Sequence, residues 1–252
     1  MNLSTRQRDI LDWLHDAQQL STEALARRFR VSAQTIRRDI NGLNEQGLAR
    51  RQHGGVALPA AQHNLSFAQR SGAQIGRKRG IAHAATQVVP ENATVLLGYG
   101  TTVAEFARAL PSDRPLRVVT NNLDAALVLA AKPAIETWVA CGRLRASDRD
   151  VMGAATLEYL RRFRAHIAVL GVGGISADGA LCEFQPEEAD LSRELLALAQ
   201  CRLLLADSSK YLRAAPCLVA PLGHVQHLFT DEVAPACLQA LCDRAGVQMH
   251  RC

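Results

Sequence analysis

The sequence predicts an α/β protein. A small, mostly helical module spans residues 1–57, a joining stretch spans 58–74, and a mostly parallel sheet covered by helices spans 75–252. Three observations predict this. Apolar residues recur at helical spacing in the first 45 residues, ahead of a short strand and a glycine turn. The stretch from Pro59 to Gly76 is rich in Ala, Gln, Ser and Gly and has little periodicity. Beyond it, continuous apolar runs of strand length alternate with helix candidates, the pattern of a parallel sheet covered by helices.

Taken in order, Ile10, Leu11 and Leu14 give the first helix an apolar face. Ser21 is placed to N-cap a second helix, whose Leu25 and Phe29 stand four apart. Ser32 is placed to N-cap a third, with Ile36, Ile40 and Leu43 at the spacing of a buried stripe and Gly47 at its C-cap. Leu48–His53 and the turn Gly54-Gly55-Val56 fit a strand and hairpin, the wing of a winged helix-turn-helix. In the second part, strands are expected at 94–97, 116–120, 135–140, 167–170, 202–206, 227–230 and 247–250. Helices are expected at 75–89, 102–109, 123–129, 156–163, 187–199 and 235–245.

Composition narrows the function classes. The chain is 48% apolar and 21% charged, which is ordinary for a soluble protein, and its net charge of +5 favours polyanionic partners. Its start lacks the apolar run of a signal peptide, and no stretch approaches a bilayer-spanning length, so the cytoplasm is the expected location, with no membrane partner. Seven cysteines without a C-x-x-C pair read as reduced, partly buried thiols rather than a disulfide framework or zinc site, so no metal is expected.

The third helix carries the strongest signal. With Ile36 set at zero and about 100° per residue, Ile40 and Leu43 fall within about 40° of it. Gln34, Arg38 and Asn41 land on the opposite face, flanked by Thr35 and Arg37. Such amides and guanidinium groups pair with adenine and guanine edges, and a Thr methyl can meet thymine. Arg37, Arg38, Ser32 and the helix N-terminus can instead grip phosphates. Alone, such a face is usually solvated surface, but Arg27, Arg28, Arg30, Arg50 and Arg51 lie in the same module.

The run Ser32-Ala33-Gln34-Thr35-Ile36-Arg37-Arg38-Asp39-Ile40-Asn41, with Arg6, Ile10 and Leu14 upstream, resembles the signature of the DeoR family of bacterial repressors. Arg51-Gln52-His53-Gly54-Gly55-Val56-Ala57 is similar to that family's wing. The likeness continues through 119–123, 142–153, 178–181 and 207–210. The resemblance implies a homo-oligomeric repressor (dimer or tetramer) of carbohydrate or glycerol metabolism genes that binds a double-stranded DNA operator. Ser32, Gln34, Thr35, Arg37, Arg38, Asn41, Arg50, Arg51 and His53 are its candidate DNA contacts. It also implies a sensor domain with the fold of ribose-5-phosphate isomerase, and an effector that is a phosphorylated sugar or polyol such as glycerol 3-phosphate.

Independently of that likeness, polar and glycine-rich segments follow several strands, where an open parallel sheet binds its ligands. Gly100-Thr101-Thr102 opens a helix and could hold a phosphate on backbone N–H groups and hydroxyls. Thr120-Asn121-Asn122, Gly173-Gly174 and Lys210 follow other strands, and the resemblance adds Glu188, which matches a Glu of the family, to the candidate effector residues. The sequence departs from the family pattern at Gly98, where members commonly carry Asp, and at Ser192, where they commonly carry Lys. Both changes remove polar groups from the expected pocket. Asp178, Glu183, Glu187, Glu188 and Lys210 keep open a second reading, a sugar-phosphate isomerase-like enzyme with a nucleic-acid-binding appendage. Each is more simply a turn residue, a helix-start acid or a phosphate clamp, so no catalytic residue and no cofactor is assigned.

Overall fold

The computed structural model describes residues 3–17, 19–46, 48–52, 54–57 and 74–252. Gly47, His53 and all of the expected joining stretch except Gln74 lie outside the described residues. The chain divides into two compact units, Met1–Leu65 and Ser66–Cys252.

In the first unit, helix α1 (Thr5–Ala17) leads through strand β1 (Gln19–Ser21) to α2 (Thr22–Phe29), α3 (Ala33–Glu45), β2 (Arg50–Gln52) and β3 (Gly55–Ala57). Both predicted N-caps are present: Ser21 Oγ accepts the Ala24 N–H at 3.1 Å and Ser32 Oγ accepts that of Thr35 at 3.2 Å. Each satisfies a helix-start donor that has no partner within its own helix. Ile10, Leu14, Leu25, Ile36, Ile40, Leu43 and Val56 are buried together as the unit's core, with Leu11 and Phe29 partly buried against it.

The sequence did not predict β1, which pairs antiparallel with β3 and makes a three-stranded sheet in the order β1-β3-β2. Gly55 permits that pairing. A Cβ there would stand 2.2 Å from the Leu20 carbonyl oxygen, well inside contact distance.

The second unit begins with α4 (Ile75–Thr86), β4 (Thr94–Leu97), α5 (Thr101–Ala109), β5 (Leu116–Thr120), α6 (Leu123–Leu129) and β6 (Ile135–Val139). A hairpin of β7 (Arg143–Arg145) and β8 (Asp150–Met152) follows, then α7 (Ala154–Leu160), β9 (Ala165–Leu170), β10 (Gly174–Ile175) and β11 (Ala180–Glu183). The chain continues through α8 (Pro186–Leu198), β12 (Ala199–Leu205), a 3-10 turn (Ser208–Lys210), β13 (Cys217–Pro221), a second 3-10 turn (Leu222–His224), β14 (His227–Thr230), α9 (Ala236–Ala245) and β15 (Gln248–Arg251).

Seven strands form one parallel sheet in the order β15-β14-β12-β9-β4-β5-β6. Side chains alternate across it, as the strand period requires. Val95, Leu97, Val169, Leu203 and Phe229 pack with α4, α5 and α6, whereas Leu96, Ala168, Leu204 and Leu228 pack with α8 and α9.

Boundaries shift by a few residues from expectation: the helix expected at 75–89 ends at Thr86, and the strand expected at 202–206 runs Ala199–Leu205. The β7–β8 hairpin and the small antiparallel sheet β10-β11-β13 were not predicted, because their strands are short and interrupted by turn residues.

Candidate nucleic-acid interface and effector site

Helix α3 is oriented by its apolar stripe. Ile36, Ile40 and Leu43 are buried, which turns Gln34, Arg37, Arg38 and Asn41 outward, all four exposed. Thr35 is half-buried, and its hydroxyl meets that of Ser32 at 2.9 Å. Asp39, beside the two arginines in sequence, faces inward. It receives Arg6 Nε at 2.6 Å and NH2 at 3.3 Å, a bidentate pair that bolts α1 to α3. This leaves the outward face around Gln34, Arg37, Arg38 and Asn41 with cationic and amide groups and turns the neighbouring acid, Asp39, away from it.

Arg50 and Arg51 are exposed on β2, whose Arg51 N–H donates to Asn44 Oδ1 at the end of α3 (3.2 Å). Arg28 lies over the Trp13 ring at 4.5 Å and so belongs to the contact between α1 and α2. A helix with an exposed row of base-reading groups, beside an arginine-bearing strand, has the chemistry to enter a major groove and grip its backbone.

In the second unit, the carboxyl ends of β12, β9, β4 and β5 lie side by side, so the segments that follow them share one edge. Gly100, at φ +106°, precedes α5 with open space where a side chain would stand, and no side chain caps the helix. Thr101 and Thr102 are largely buried in its first turn.

Thr120, Asn121 and Asn122 are fully buried and bonded within the protein. Thr120 Oγ1 donates to the Leu97 carbonyl (2.9 Å), Asn121 Nδ2 to that of Val151 (3.0 Å) and Asn122 Nδ2 to that of Gly100 (3.1 Å). Asn122 Oδ1 also caps α6 by accepting the Ala125 N–H. Gly173 and Gly174 are set by packing: a Cβ at Gly174 would stand 2.1 Å from the Arg213 carbonyl oxygen, and one at Gly173 would stand 2.8 Å from Glu183 Oε2.

Glu188 is buried and serves two partners. Its Oε2 accepts the Gln185 N–H (3.1 Å) in a capping box at the start of α8, and its Oε1 accepts Arg145 NH1 (2.9 Å). Arg145 also donates to both carboxylate oxygens of Asp150, at 2.8 and 2.6 Å. Burial would lower the Arg145 pKa, but the bonds and charges of Asp150 and Glu188 outweigh it and raise it.

Glu183, also buried, has its pKa pushed up to about 8, first by burial and then by the Glu188 charge, against the Tyr99 hydroxyl, Lys210 and the Gly173 N–H. At neutral pH it is therefore mostly a neutral acid, and its Oε1 has no hydrogen-bond partner among the described residues. Lys210 is half-buried in the 3-10 turn after β12. Buried Lys78 of α4 acts with it on Asp207: burial would raise that carboxyl, and the two lysines help hold it below its ordinary value.

Residues 6–62 match the DeoR-like helix-turn-helix domain, and residues 73–232 match the DeoR C terminal sensor domain. The chain belongs to the DeoR family. This DeoR-family protein is 37% identical over 230 residues to the HTH-type transcriptional repressor CsqR of Escherichia coli (strain K12), covering 91% of this chain and 88% of that one. It is 34% identical over 252 residues to the Glycerol-3-phosphate regulon repressor of the same strain, covering 100% of both. Ribose 5-phosphate isomerase A from Methanocaldococcus jannaschii is a similar solved structure, at a TM-score of 0.39 and 17% identity over 53% of each chain.

Both positions that depart from the DeoR-family pattern are packed against the interior. Gly98 packs under α8, where a Cβ would stand 3.0 Å from Leu195 Cδ1, so an Asp there requires Leu195 to move. Ser192 is buried with its Oγ 3.3 Å from the Tyr99 hydroxyl. Sequence reasoning missed Lys78, Arg145 and Asp207 at the sheet edge. The hydroxyl and acid run at 207–210 was the one signal for Asp207, and nothing local marked the other two.

Proposed function

We propose that this DeoR-family protein is a sequence-specific DNA-binding transcriptional repressor of carbohydrate or glycerol metabolism genes, released by a phosphorylated sugar or polyol such as glycerol 3-phosphate. One observation carries the DNA-binding half: Gln34, Arg38 and Asn41 stand exposed on a capped helix whose opposite stripe is the core of its unit. Gln34, Arg38 and Asn41 read base edges, Thr35 meets a thymine methyl, and Ser32, Arg37, Arg50, Arg51 and His53 hold phosphates. The protein works in the cytoplasm as a homo-oligomer whose copies grip half-sites about one helical turn, or a multiple, apart.

The effector sits at the carboxyl edge of the parallel sheet. Gly100, Thr101 and Thr102 receive its phosphate on backbone N–H groups and hydroxyls, with Lys210 and Lys78 supplying positive charge. Gly173 and Gly174 keep the adjoining loop close. Thr120, Asn121, Asn122 and Glu188 act by shaping the edge, because their side chains already serve partners within the chain.

The site binds rather than catalyses. Glu188 is committed to Arg145 and to the start of α8, which leaves it poorly placed to act as a base. Mobility shifts of operator DNA with glycerol 3-phosphate, ribose 5-phosphate, glucose 6-phosphate and fructose 6-phosphate test the proposal. At least one is expected to release the DNA, since a switch requires unequal affinity for the two states. Release by none removes the effector half, and failure to bind duplex DNA removes the whole.

A further inference from the structure

Helix α4 is the first described helix of the second unit, and its start is fastened to the sheet edge by charge. Gln74 does not cap the helix. Instead Arg77 NH1 donates to Ser208 Oγ at 3.2 Å and to Asp231 Oδ2 at 3.0 Å, and lies 3.2 Å from Glu232 Oε1. These contacts join residues 131 and 154 positions apart in the sequence. The Asp231 side chain is only 6% exposed and also accepts the Ser208 N–H (2.6 Å) and hydroxyl (3.1 Å). Ser208 in turn opens the 3-10 turn that ends at Lys210, and Asp207 caps that turn by accepting the Ser209 N–H at 3.0 Å. One three-residue turn thus carries the candidate effector lysine at one end and the mooring of α4 at the other.

We infer that Arg77 is a positioning residue that couples the effector site to the DNA-binding module, acting through the Ser208–Lys210 turn; this rests on the effector-controlled reading above. The Lys210 N–H donates to the Asp207 carbonyl at 2.9 Å and the Lys210 charge acts on the Asp207 carboxylate, so the phosphate of an effector competes with that carboxylate for the same charge. A change in the turn moves Ser208 and its bond to Asp231, and both are acceptors for Arg77. Arg77 lies two residues into α4, so the shift reaches the start of the first described helix of the second unit, the end from which the chain continues back to the first unit. Short charge-assisted bonds suit this role, because they are directional and lost over small displacements.

The test uses the full-length protein. Operator affinity is measured by fluorescence anisotropy with and without each of the four phosphorylated compounds named above, and affinity for the same compounds by titration calorimetry without DNA. In the unaltered protein the active compound is expected to weaken operator binding by about 5- to 150-fold, the usual span of allosteric coupling. In Arg77→Ala that ratio is expected to fall close to one, while affinity for the compound and effector-free affinity for the operator stay unchanged within error. Arg77→Lys, which keeps a cation toward Asp231 and Glu232, is expected to restore part of the ratio.

Full coupling in Arg77→Ala overturns the inference and leaves the effector reading standing. Loss of compound binding in Arg77→Ala also overturns it, by making Arg77 a direct contact or a structural support. No response of the unaltered protein to any compound overturns the effector reading and this inference together.

Discussion

Replacing Arg145 by methionine removes a cation shared by two buried carboxylates while keeping most of its side-chain volume. The Arg145 side chain is 11% exposed, and those of Asp150 and Glu188 are 1% and 2% exposed. Deleting one partner of a buried ion pair costs about 3–5 kcal/mol, because the other charge is left in a poorly solvating interior. Here two carboxylates lose their partner, so the upper part of that span is expected. For a domain of this size each kcal/mol lowers the unfolding midpoint by about 2–4 °C. At about 4–5 kcal/mol the shift for Arg145→Met is therefore about 8–20 °C, read by scanning calorimetry in the transition of the sensor unit. Adding Asp150→Asn and Glu188→Gln is expected to recover much of the loss, because the triple variant buries no unpaired charge. A loss below about 1 kcal/mol, the value of an exposed pair, would show that water reaches the network and that the reasoning is wrong.

Three further outcomes follow from the geometry. Gly55→Ala places a Cβ against the Leu20 carbonyl and pushes β1 off β3; operator binding is expected to fall sharply in a mobility shift, with the unfolding transition of the sensor unit unchanged. Glu183 binds its proton more tightly folded, at about 8, than its ordinary value of 4.5, so its contribution is full below pH 4.5 and is lost as pH rises through 8. Urea unfolding from pH 5 to 9 is accordingly expected to show a decline that Glu183→Gln flattens. Arg50→Ala is expected to weaken operator and random DNA equally and to reduce the salt slope of binding by about 0.9, the loss of one phosphate contact.

Much of the architecture was legible because it rests on local signals. The stripe of Ile36, Ile40 and Leu43, the serines ahead of α2 and α3, and the apolar runs of the parallel sheet are all short-range patterns, and the structure has them. What escaped notice depends on tertiary register. Arg6 meets Asp39 across 33 positions and Arg145 meets Glu188 across 43, and neither spacing has a periodicity to betray it. The strands of the β7–β8 hairpin and of the β10-β11-β13 sheet contain two to five residues, too few to show alternation.

The sheet edge was half legible. Polar residues after a strand look the same whether they await a ligand or hold a turn. Thr120, Asn121 and Asn122 hold the edge through their side chains, whereas Gly100 leaves open space in front of α5. The raised pKa of Glu183 comes from burial beside a second carboxylate, which a lone acid in a short strand cannot announce.

Sequence-specific repression requires that the outward face of α3 read bases. Selecting bound duplexes from random DNA, in parallel for the unaltered protein and for Arg38→Ala, measures this directly. The account predicts a defined half-site for the unaltered protein. For the variant it predicts the same half-site with preference relaxed at one guanine, and operator affinity weaker by about 1–3 kcal/mol. Equal losses on operator and random DNA, with the selected sequence unchanged, would contradict it.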